Sequence, residues 1–470
     1  MAKSTTKRDV IWGYAAQAIN LSAGLLLLPL IVRHLNPEQV SLWFIFLTLA
    51  SFAQMLDFGF QPTIARNAAY VFAGVSELRK TGVMQGTESG PNYPLLSGLL
   101  GACKKIYLRV GLAAAVVMMV GGSGYLMTLS VPAKDIHQVI AGWTLFASGS
   151  LLNFYFAYFT PLLQGKGEVA LSNKAIFLSR ISFLVLAALG LVQGMGLVSL
   201  GLAQIASAFL GRWLSFRYFY DKTLKTALSA VDKEWDVSEI MPAIWHNSAK
   251  FGMVSVGTFL ILRANTLLAS SFVGLKVAAS YALTIQIFQV LTAFAGVAMQ
   301  ISVPRLSAKH VQGGADMKGS FGAVVVASGA VFVVCCLVVL LLGPTAIRSL
   351  HASVALLPMP MLVFMALSSF LESNHTICAT FITTRNTVPF VGAAIYSGIA
   401  SLALTYAGIG AGAGIWAFLL GPAIAQLAYN NWYWPMQAAA LCGASFKELV
   451  GEGLGYLVLR MNVLKNGNVI

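Results

Sequence analysis

Apolar segments long enough to cross a lipid bilayer recur along this 470-residue chain, from Val10 to about Met436. A transmembrane helix needs about 20 consecutive, predominantly apolar residues. Only 10% of the residues are charged, whereas a soluble domain typically carries about 25%. Because barrel strands are short and alternate in hydrophobicity, the sequence predicts an all-α polytopic membrane protein. Hydropathy and turn residues predict about twelve spans: 10–32, 39–60, 106–129, 137–160, 169–192, 197–218, 248–273, 279–303, 320–343, 354–380, 387–408 and 412–436.

The lysines and arginines are distributed unevenly between the two sides of this predicted topology. If the N-terminus is cytoplasmic, 21 of the 30 basic residues fall on the inner side, four on the outer side and five within spans. Cytoplasmic loops carry the excess of Lys and Arg in membrane proteins. The pattern therefore predicts that both termini are cytoplasmic, and it explains most of the +14 net charge without a nucleic-acid partner.

The longest polar connection between well-defined spans falls near the midpoint and divides the chain into two similar halves. We predict an N-terminal six-helix lobe (1–218), a cytoplasmic linker (219–247), a C-terminal six-helix lobe (248–437) and a cytoplasmic tail (438–470). Apolar residues of the tail, such as Leu449 and Leu457, share one face, which favours an interfacial amphipathic helix. The second helix of each half ends in a similar pattern, with Gln61 and Arg66 in one half and Gln300 and Arg305 in the other.

One predicted span, Lys250–Gly274, carries an arginine near its middle and no acidic residue. A charged side chain at that depth costs at least about 2.5–3.5 kcal/mol, and such residues face a cavity or a partner rather than lipid. Arg263 therefore either pairs with an acid on another helix or lines a passage for an anionic cargo.

Polar and small residues also recur at helical spacing on other predicted spans. Such residues commonly stabilise the packing of membrane helices against each other. Their presence on the first two helices of both halves nevertheless favours a shared polar cavity between the lobes. The four stripes are Gly13, Gln17, Asn20 and Gly24; Gln54, Asp57 and Gln61; Arg263 with Gly252, Thr266 and Ser270; and Gln286, Gln289, Gly296 and Gln300.

The basic residues within spans are candidates for binding phosphate. Arg180 and Arg263 are the two placed most deeply, and an arginine fork donates paired, charge-assisted hydrogen bonds to phosphate. Lys174, Arg66 and Arg305 lie nearer the inner face, where they either receive an anionic headgroup or act as topology anchors. The other two basic residues within spans are Arg109 and Arg212.

Two acidic residues, Asp57 and Glu372, are also placed deeply. Glu372 shares a helix face with His375, three residues later, so the pair is a candidate for binding or relaying a proton. The alternative is that either acid neutralises a buried arginine. Coupling to a proton or sodium gradient is thus one hypothesis, and no other cofactor is expected. The sequence lacks a P-loop, and its five cysteines and six histidines show no metal-ligand spacing.

The stretch from Trp12 to Arg66 resembles the opening of bacterial Wzx-type polysaccharide (O-antigen) flippases, in the multidrug/oligosaccharidyl-lipid/polysaccharide exporter superfamily. The similarity lies in the end of helix one (Pro29 to Arg33), the Asn36-Pro37 turn, the aromatic start of helix two and the sequence LDFGF at 56–60. LLQGKGEV at 162–169 is also similar to the family.

This resemblance implies a twelve-helix fold of two six-helix lobes around a central cavity. It implies a flippase, not an enzyme, that moves an undecaprenyl-pyrophosphate-linked oligosaccharide to the outer leaflet of the bacterial cytoplasmic (inner) membrane by alternating access. The product would be a surface glycan such as O-antigen, lipopolysaccharide or exopolysaccharide. Expected partners are the lipid-linked oligosaccharide, membrane lipids and other polysaccharide-assembly membrane proteins. The sequence leaves the oligomeric state open, and we favour a monomer.

Two other functions are alternatives. A multidrug/toxin-extrusion antiporter for small cations would require deep acids, whereas the deep cations here equal or outnumber them. A membrane-embedded polysaccharide polymerase or ligase would be expected to use long outward-facing polar segments, and the predicted outer loops are short.

Overall fold

The computed structural model describes residues 7–78, 90–132, 135–231, 237–311, 317–385 and 388–465. These residues form helices joined by short turns, and nine of the helical segments within them are long and apolar enough to cross a membrane. The helices are α1 Lys7–His34, α2 Pro37–Gln54, α3 Phe60–Phe72, α4 Tyr93–Ala115, α5 Ser123–Met127, α6 Ile136–Tyr155, α7 Phe159–Gly165, α8 Val169–Val192, α9 Leu197–Phe219, α10 Lys222–Ser229, α11 Val237–Leu262, α12 Ala264–Phe272, α13 Leu275–Val311, α14 Met317–Ser349, α15 Met359–Thr383, α16 Val391–Gly410, α17 Trp416–Ala428, α18 Asn430–Ala440 and α19 Phe446–Lys465.

The prediction of an all-α polytopic membrane fold is confirmed. The third span is longer than predicted, because α4 begins at Tyr93 rather than near residue 106. The Asn92 side chain accepts a hydrogen bond from the Leu95 backbone N–H at 3.0 Å, and Pro94 occupies the first turn. Both features are typical helix starts.

The second predicted span is broken rather than continuous, so the expectation of one helix over 39–60 is wrong. After α2, a 3₁₀ turn covers Met55–Asp57, and α3 starts at Phe60. Between them, Phe58 and Gly59 adopt left-handed backbone conformations with φ of 45° and 67°. For a non-glycine residue this conformation costs roughly 1–2 kcal/mol, so the surrounding contacts must hold Phe58 in place.

A second break falls at Arg263, in the span that the sequence predicts to be continuous from 248 to 273. Helix α11 ends at Leu262, Arg263 has non-helical dihedrals (φ −122°, ψ −38°), and α12 starts at Ala264. Neither proline nor glycine occupies this position. Because the helix is interrupted there, face positions counted across it from Arg263 do not hold.

The described chain divides into two compact units, and the division falls within α11. The first unit contains residues up to Phe259 together with 274–276, and the second contains 260–273 and the residues from Val277 onwards. The lobe boundaries predicted from the sequence remain predictions.

The first unit is built on a core that joins α3, α4, α7 and α9. Its members include Phe60, Tyr107, Phe159 and Phe219, each at most 3% exposed. Leu224, Ile240 and Ile244 belong to the same core. The described parts of the segment predicted as a solvated linker therefore form α10 and the start of α11, and they contribute buried side chains. Residues 232–236 of that segment lie outside the described ranges.

Helices α6, α8 and α9 of the first unit pack at close range through small residues. A Cβ at Gly201 would lie 2.7 Å from the Gly142 carbonyl oxygen, and one at Gly149 would lie 2.7 Å from the Ile205 nitrogen. Small residues of this kind let the backbones of membrane helices approach each other, so these positions fix how α9 sits against its neighbours.

The second unit has its own core, in which the tail helix takes part. Phe321 of α14 stacks on Phe381 of α15 with ring centroids 3.8 Å apart, and Leu449 of α19 is fully buried beside them. Gly322 and Gly453 meet where α14 crosses α19, with no room for a Cβ on either residue. The described part of the predicted tail helix is therefore docked on α14, and part of its apolar face, including Leu449, packs against protein.

Candidate functional site

The predicted polar stripe of α1 meets polar residues of α8 where these two helices pack in the first unit. The Arg180 Nε donates a hydrogen bond to the Asn20 Oδ1 at 2.9 Å, and Gly13 lies against Asn173. The ammonium of Lys174 stands 5.7 Å from the centroid of the Trp12 ring, within the distance of a cation–π contact. The structure thus brings together three of the predicted site residues, Asn20, Arg180 and Lys174, along one helix pair.

A second arginine lies beside this helix pair on α9. The Ser179 Oγ donates to the Ser207 carbonyl at 2.8 Å, and a Cβ added at Gly211 would lie 2.8 Å from the Ser179 side chain. Helices α8 and α9 therefore touch one residue away from Arg180 and from Arg212. We call Arg180, Arg212 and their side-chain partners Asn20, Asn153 and Thr160 the arginine cluster.

Neutral oxygens hold both guanidiniums of the arginine cluster. The Arg212 Nε donates to the Asn153 Oδ1 at 2.8 Å, and its Nη1 donates to the Thr160 Oγ1 at 2.8 Å. The side chains of Arg180 and Arg212 are close enough to repel each other electrostatically. Neither arginine is within ion-pair distance of a carboxylate in the described part of the first unit. Two guanidiniums on neighbouring spans, neither of them in an ion pair, make a site suited to an anion.

Asp57 occupies a different position, at the break between α2 and α3. Its Oδ1 accepts a hydrogen bond from the Tyr107 hydroxyl at 2.5 Å, and its carboxylate also accepts from the backbone and side chain of Gln61. Tyr107 is fully buried. Asp57 attracts Arg212 electrostatically without forming an ion pair, so it reduces the positive potential at one edge of the cluster.

The remaining predicted residues of the first unit are more dispersed. Gln17 lies on α1, one turn before Asn20, and it is half-buried. Arg66 is exposed on α3. Neither residue belongs to the arginine cluster as defined above.

In the second unit, the predicted residue Gln289 contacts the main chain directly before Arg263. The Gln289 Nε2 of α13 donates to the Leu262 carbonyl at 3.5 Å, a carbonyl that the end of α11 leaves without its helical partner. Arg263 is half-buried, and within the described part of its unit it has no carboxylate within ion-pair distance. Gln286 is half-buried on the same helix as Gln289, and the side chain of Arg305 lies outside what the structure describes.

A buried asparagine follows this break. Asn265 is 2% exposed, and neither its Oδ1 nor its Nδ2 has a hydrogen-bond partner among the described residues. The Gln289 Oε1 is buried and unpartnered as well. A buried polar atom without a partner costs about 1–3 kcal/mol, so the break carries polar groups that a bound molecule or ion can satisfy.

Glu372 belongs to a buried polar network that joins α15, α16, α17 and α18. The Gln426 Nε2 donates to the Glu372 Oε2 at 2.5 Å, and the Asn430 Nδ2 donates to Gln426 and to Ser397 at 2.6 and 2.8 Å. The His375 Nδ1 lies 3.6 Å from the Glu372 Oε1, an ion-pair distance only when the histidine is protonated. The predicted Glu–His pair is therefore adjacent in space and linked to neutral amides.

Several residues of these sites do not follow from the sequence alone. Arg212 is among the basic residues within spans, but its approach to Arg180 depends on how α8 and α9 pack. The other members of the Glu372 network, Gln426 and Asn430, lie 54 and 58 positions along the chain. Among the described residues, no group of three His, Cys, Asp or Glu side chains is placed to hold a metal ion.

Comparison with known proteins gives fold neighbours but no sequence relative. No family model and no curated protein matches the chain. A multidrug resistance MATE family transporter of the MOP superfamily, in an inward-facing conformation, superimposes with a TM-score of 0.67 at 12% identity, over 93% of this chain and 99% of that one.

Two further solved structures share this architecture. The lipid II flippase MurJ, in an inward closed conformation, gives a TM-score of 0.57 at 11% identity, over 98% of this chain and 93% of that one. The MATE multidrug transporter DinF-BH, solved as a complex, gives 0.57 at 12% identity, over 91% of this chain and 95% of that one. The chain therefore has the fold of MOP-superfamily transporters and flippases, and it is a multi-pass membrane protein.

Proposed function

We propose that this protein is a flippase for an undecaprenyl-pyrophosphate-linked oligosaccharide, and that it moves this cargo from the cytoplasmic to the outer leaflet of the bacterial inner membrane by alternating access. The observation that carries the proposal is the arginine cluster, in which Arg180 and Arg212 are held by neutral oxygens. The Wzx-like sequence of Trp12–Arg66 and the fold shared with a lipid II flippase support it.

A diphosphate suits this cluster for electrostatic and geometric reasons. It carries oxygens on two phosphorus atoms, so two neighbouring guanidiniums can each donate to it. Hydrogen bonds to charged groups contribute about 1.5–3 kcal/mol each. Since the diphosphate also relieves the repulsion between Arg180 and Arg212, binding requires no carboxylate partner for either arginine. The hydrocarbon tail of the cargo remains in the bilayer.

The direct test measures flipping in proteoliposomes that contain a fluorescent polyprenyl-diphosphate oligosaccharide. We expect Arg212→Gln and Arg180→Gln each to lower the flipping rate by roughly ten- to a hundredfold, which corresponds to the loss of one or two charge-assisted hydrogen bonds. Arg217→Gln is the matched control, because Arg217 is an exposed arginine about one turn further along α9. It should flip the cargo at the wild-type rate.

The same vesicles distinguish the competing functions. Full flipping by both arginine variants would rule out the cluster as the diphosphate site. Export of a cationic dye by the wild-type protein, with no movement of the diphosphate lipid, would instead identify a MATE-type exporter. In cells, disruption of the gene should leave lipid-linked repeat units on the cytoplasmic leaflet, and only a functional copy should clear them.

We propose that Glu372 is the carboxylate through which an ion gradient drives transport. It is half-buried, it has no lysine or arginine partner in the described part of its unit, and a titratable histidine stands 3.6 Å away. Glu372→Gln should abolish the dependence of flipping on a proton or sodium gradient, while Glu452→Gln on the exposed part of α19 should not. Unchanged gradient dependence in Glu372→Gln would remove this residue from the coupling scheme.

The predicted orientation and partners belong to the same proposal. The excess of basic residues on one side supports cytoplasmic termini, and the cargo would come from membrane-bound polysaccharide-assembly proteins. Cysteine labelling from either side of the membrane, at the exposed Ser445 and at the outer turn residue Gly194, tests the orientation. Ser445→Cys should react only from the cytoplasm and Gly194→Cys only from outside.

A further inference from the structure

A chain of hydrogen bonds through three buried side chains ends on Glu372 in the second unit. The Trp434 indole N–H donates to the Asn430 Oδ1 at 2.9 Å, and the Asn430 Nδ2 donates to the Gln426 Oε1 at 2.6 Å. The Gln426 Nε2 in turn donates to the Glu372 Oε2 at 2.5 Å. Trp434, Asn430 and Gln426 are at most 5% exposed. Every donor in this chain therefore points in the direction of the carboxylate.

The two ends of the chain fix the orientation of both amides between them. An indole nitrogen can only donate a hydrogen bond, and an ionised carboxylate can only accept one. Asn430 must consequently turn its oxygen to Trp434, and its NH₂ group donates to Gln426 and, at 2.8 Å, to Ser397. Because the Gln426 oxygen accepts from Asn430, this glutamine presents an N–H to Glu372.

Sodium is poorly suited to this arrangement. Hard cations bind through oxygen atoms, and the sodium sites of transporters use carbonyl oxygens that unwound helix segments set free. Helix α15 is continuous through Glu372, so the carbonyls around it stay in the helical ladder. The amide that contacts the carboxylate presents hydrogen instead of oxygen. An ion beside the Glu372 Oε2 would therefore meet the positive end of the amide dipole.

The other carboxylate oxygen of Glu372 faces a basic nitrogen. The His375 Nδ1 lies 3.6 Å from the Glu372 Oε1, and it is buried with no hydrogen-bond partner among the described residues. This gap is wider than a hydrogen bond of about 2.7–3.2 Å. A proton on either atom would give each of them a partner after a small approach, while the bond from Gln426 to the Oε2 stays intact. Two groups this close bind protons as a pair.

Other charged groups are sparse on the helices packed against α15, which are α14, α17 and α18. Helices α17 and α18 contain no Asp, Glu, Lys, Arg or His, and the charged residues of α14 are Lys318 and Arg348, close to its two ends. The remaining titratable side chains on these helices are of types that are neutral at pH 7 when unperturbed: Cys335, Cys336 and Tyr433. The charge at this site is therefore set by Glu372 and His375.

We propose, on the basis of the coupling role proposed above for Glu372, that the coupled ion is a proton, held at the Glu372 Oε1 or the His375 Nδ1. Gln426 selects it over sodium, because it presents an N–H to the carboxylate where a sodium site would require an oxygen. Uptake of one proton changes the net charge of the pair from negative to neutral, and it needs no additional ligand.

Flipping in proteoliposomes under matched gradients tests the choice of ion. The vesicles contain the fluorescent polyprenyl-diphosphate oligosaccharide, and the membrane potential is held at zero with valinomycin and equal potassium. A pH gradient of one unit and a tenfold sodium gradient at equal pH give the same driving force. We expect the pH gradient to shift the steady-state ratio of cargo between the leaflets by about three- to tenfold, since a tenfold gradient of one coupled ion sets that upper limit. Sodium should leave the ratio unchanged.

A single variant tests the selecting role of Gln426. Gln426→Glu keeps the shape of the side chain and an oxygen for Asn430, but it presents a carboxylate oxygen to Glu372. We expect this variant to respond to the sodium gradient, and sodium chloride to raise its melting temperature above that in potassium chloride, because an ion that binds the folded state stabilises it. Gln437→Glu, at an exposed position of α18, is the matched control and should behave as wild type.

A second variant tests the contribution of the histidine. His375→Gln leaves the carboxyl group as the proton acceptor of the pair, and a carboxyl group binds protons more weakly than an imidazole. The pH profile of flipping, measured with equal pH on both sides, should move towards acid. An unchanged profile would show that the proton does not use the His375 Nδ1.

The outcomes separate this proposal from the proposed function. A sodium gradient that drives wild-type flipping, or sodium chloride that raises the melting temperature of the wild type but not of Glu372→Gln, would overturn the choice of the proton and leave the flippase standing. A Gln426→Glu protein that folds and ignores sodium would remove the selecting role of Gln426. Failure to move the diphosphate lipid under any gradient would contradict the proposed function itself, and the melting temperatures would still decide between the two ions.

Discussion

Two of the helix breaks among the described residues, at Phe58–Gly59 and at Arg263, occur at different places in the two predicted halves and are stabilised in different ways. In the first half the second helix is interrupted at Phe58 and Gly59, whereas the corresponding helix of the second half, α13, runs unbroken for 37 residues. In the second half it is the first helix that breaks, at Arg263, whereas α1 is continuous over 28 residues.

The contacts around the two breaks differ as well. At the first break, Asp57 accepts hydrogen bonds from Tyr107 and Gln61, and Gly252 packs directly on the Phe58 ring. At the second break, one 3.5 Å hydrogen bond reaches the freed carbonyl, and Asn265 has no partner among the described residues. Strained backbone persists only where its surroundings determine it. The first break is therefore a fixed structural feature, and the second is less firmly held.

The largest effect is expected from Gly252→Ala, because the added Cβ would overlap the Phe58 ring. The contacts extend to the Phe58 Cβ, 2.9 Å from the added atom, so a change of the Phe58 rotamer alone does not clear the overlap. Overpacking of this kind costs about 1–3 kcal/mol, so the melting temperature of the purified protein should fall by several degrees. Gly296→Ala is the matched control, since no heavy atom lies within 4 Å of the added Cβ. Equal melting temperatures for the two variants would contradict a locked first break.

Asp57→Ala should have the next largest effect. It leaves the buried Tyr107 hydroxyl and the Gln61 N–H without an acceptor, and each unsatisfied group costs about 1–3 kcal/mol. We expect a lower melting temperature that the double variant Asp57→Ala/Tyr107→Phe partly restores.

The same position tests the predicted ion-coupling role of Asp57. Flipping that stays gradient-dependent in folded Asp57→Asn protein would leave the residue with a structural role alone.

Arg263→Gln should change stability little, within about 0.5 kcal/mol, because the variant removes a half-buried charge that has no described ion partner. If Arg263 binds the anionic cargo, the flipping rate falls while the melting temperature holds. Loss of more than about 2 kcal/mol would show that Arg263 pairs with an acid, as the alternative interpretation of the sequence holds.

The smallest effect is expected outside both breaks, at the start of α19. The backbone N–H of Ser445 donates to the Glu448 carboxylate at 2.9 Å, and this bond, together with Lys318, lowers the pKa of Glu448 below its usual value. A lowered pKa in the folded state gives stability that is present above the unfolded pKa and lost as the pH falls through the folded value. Hydrogen exchange in α19 should thus accelerate slightly as acid protonates the Glu448 carboxylate, and Glu448→Gln should remove this dependence.

Much of the architecture follows from the apolar segments, since each must bury its backbone hydrogen bonds in a helix. The breaks do not. LDFGF at 56–60 lies in an apolar segment, and nothing in the residue type of Phe58 predicts a left-handed backbone. Arg263 has neither of the residues, proline or glycine, that commonly interrupt a helix. Asn20 and Arg180 are both visible in the sequence as polar residues within spans, whereas the contact between them, like the positions of Arg212 and Asn265, depends on packing.

The division of α11 between the two compact units has a mechanical consequence. The helix belongs to the first unit as far as Phe259 and to the second from Leu260. It ends at Leu262, directly before the break at Arg263. Large dihedral changes in hinge motions fall on a few residues at the ends of elements. A change in the backbone dihedral angles of this segment would therefore fall on the residues around Arg263, and it would move the guanidinium together with the main chain. If Arg263 binds the cargo, rotation of the main chain here would redirect its guanidinium without a change of side-chain rotamer.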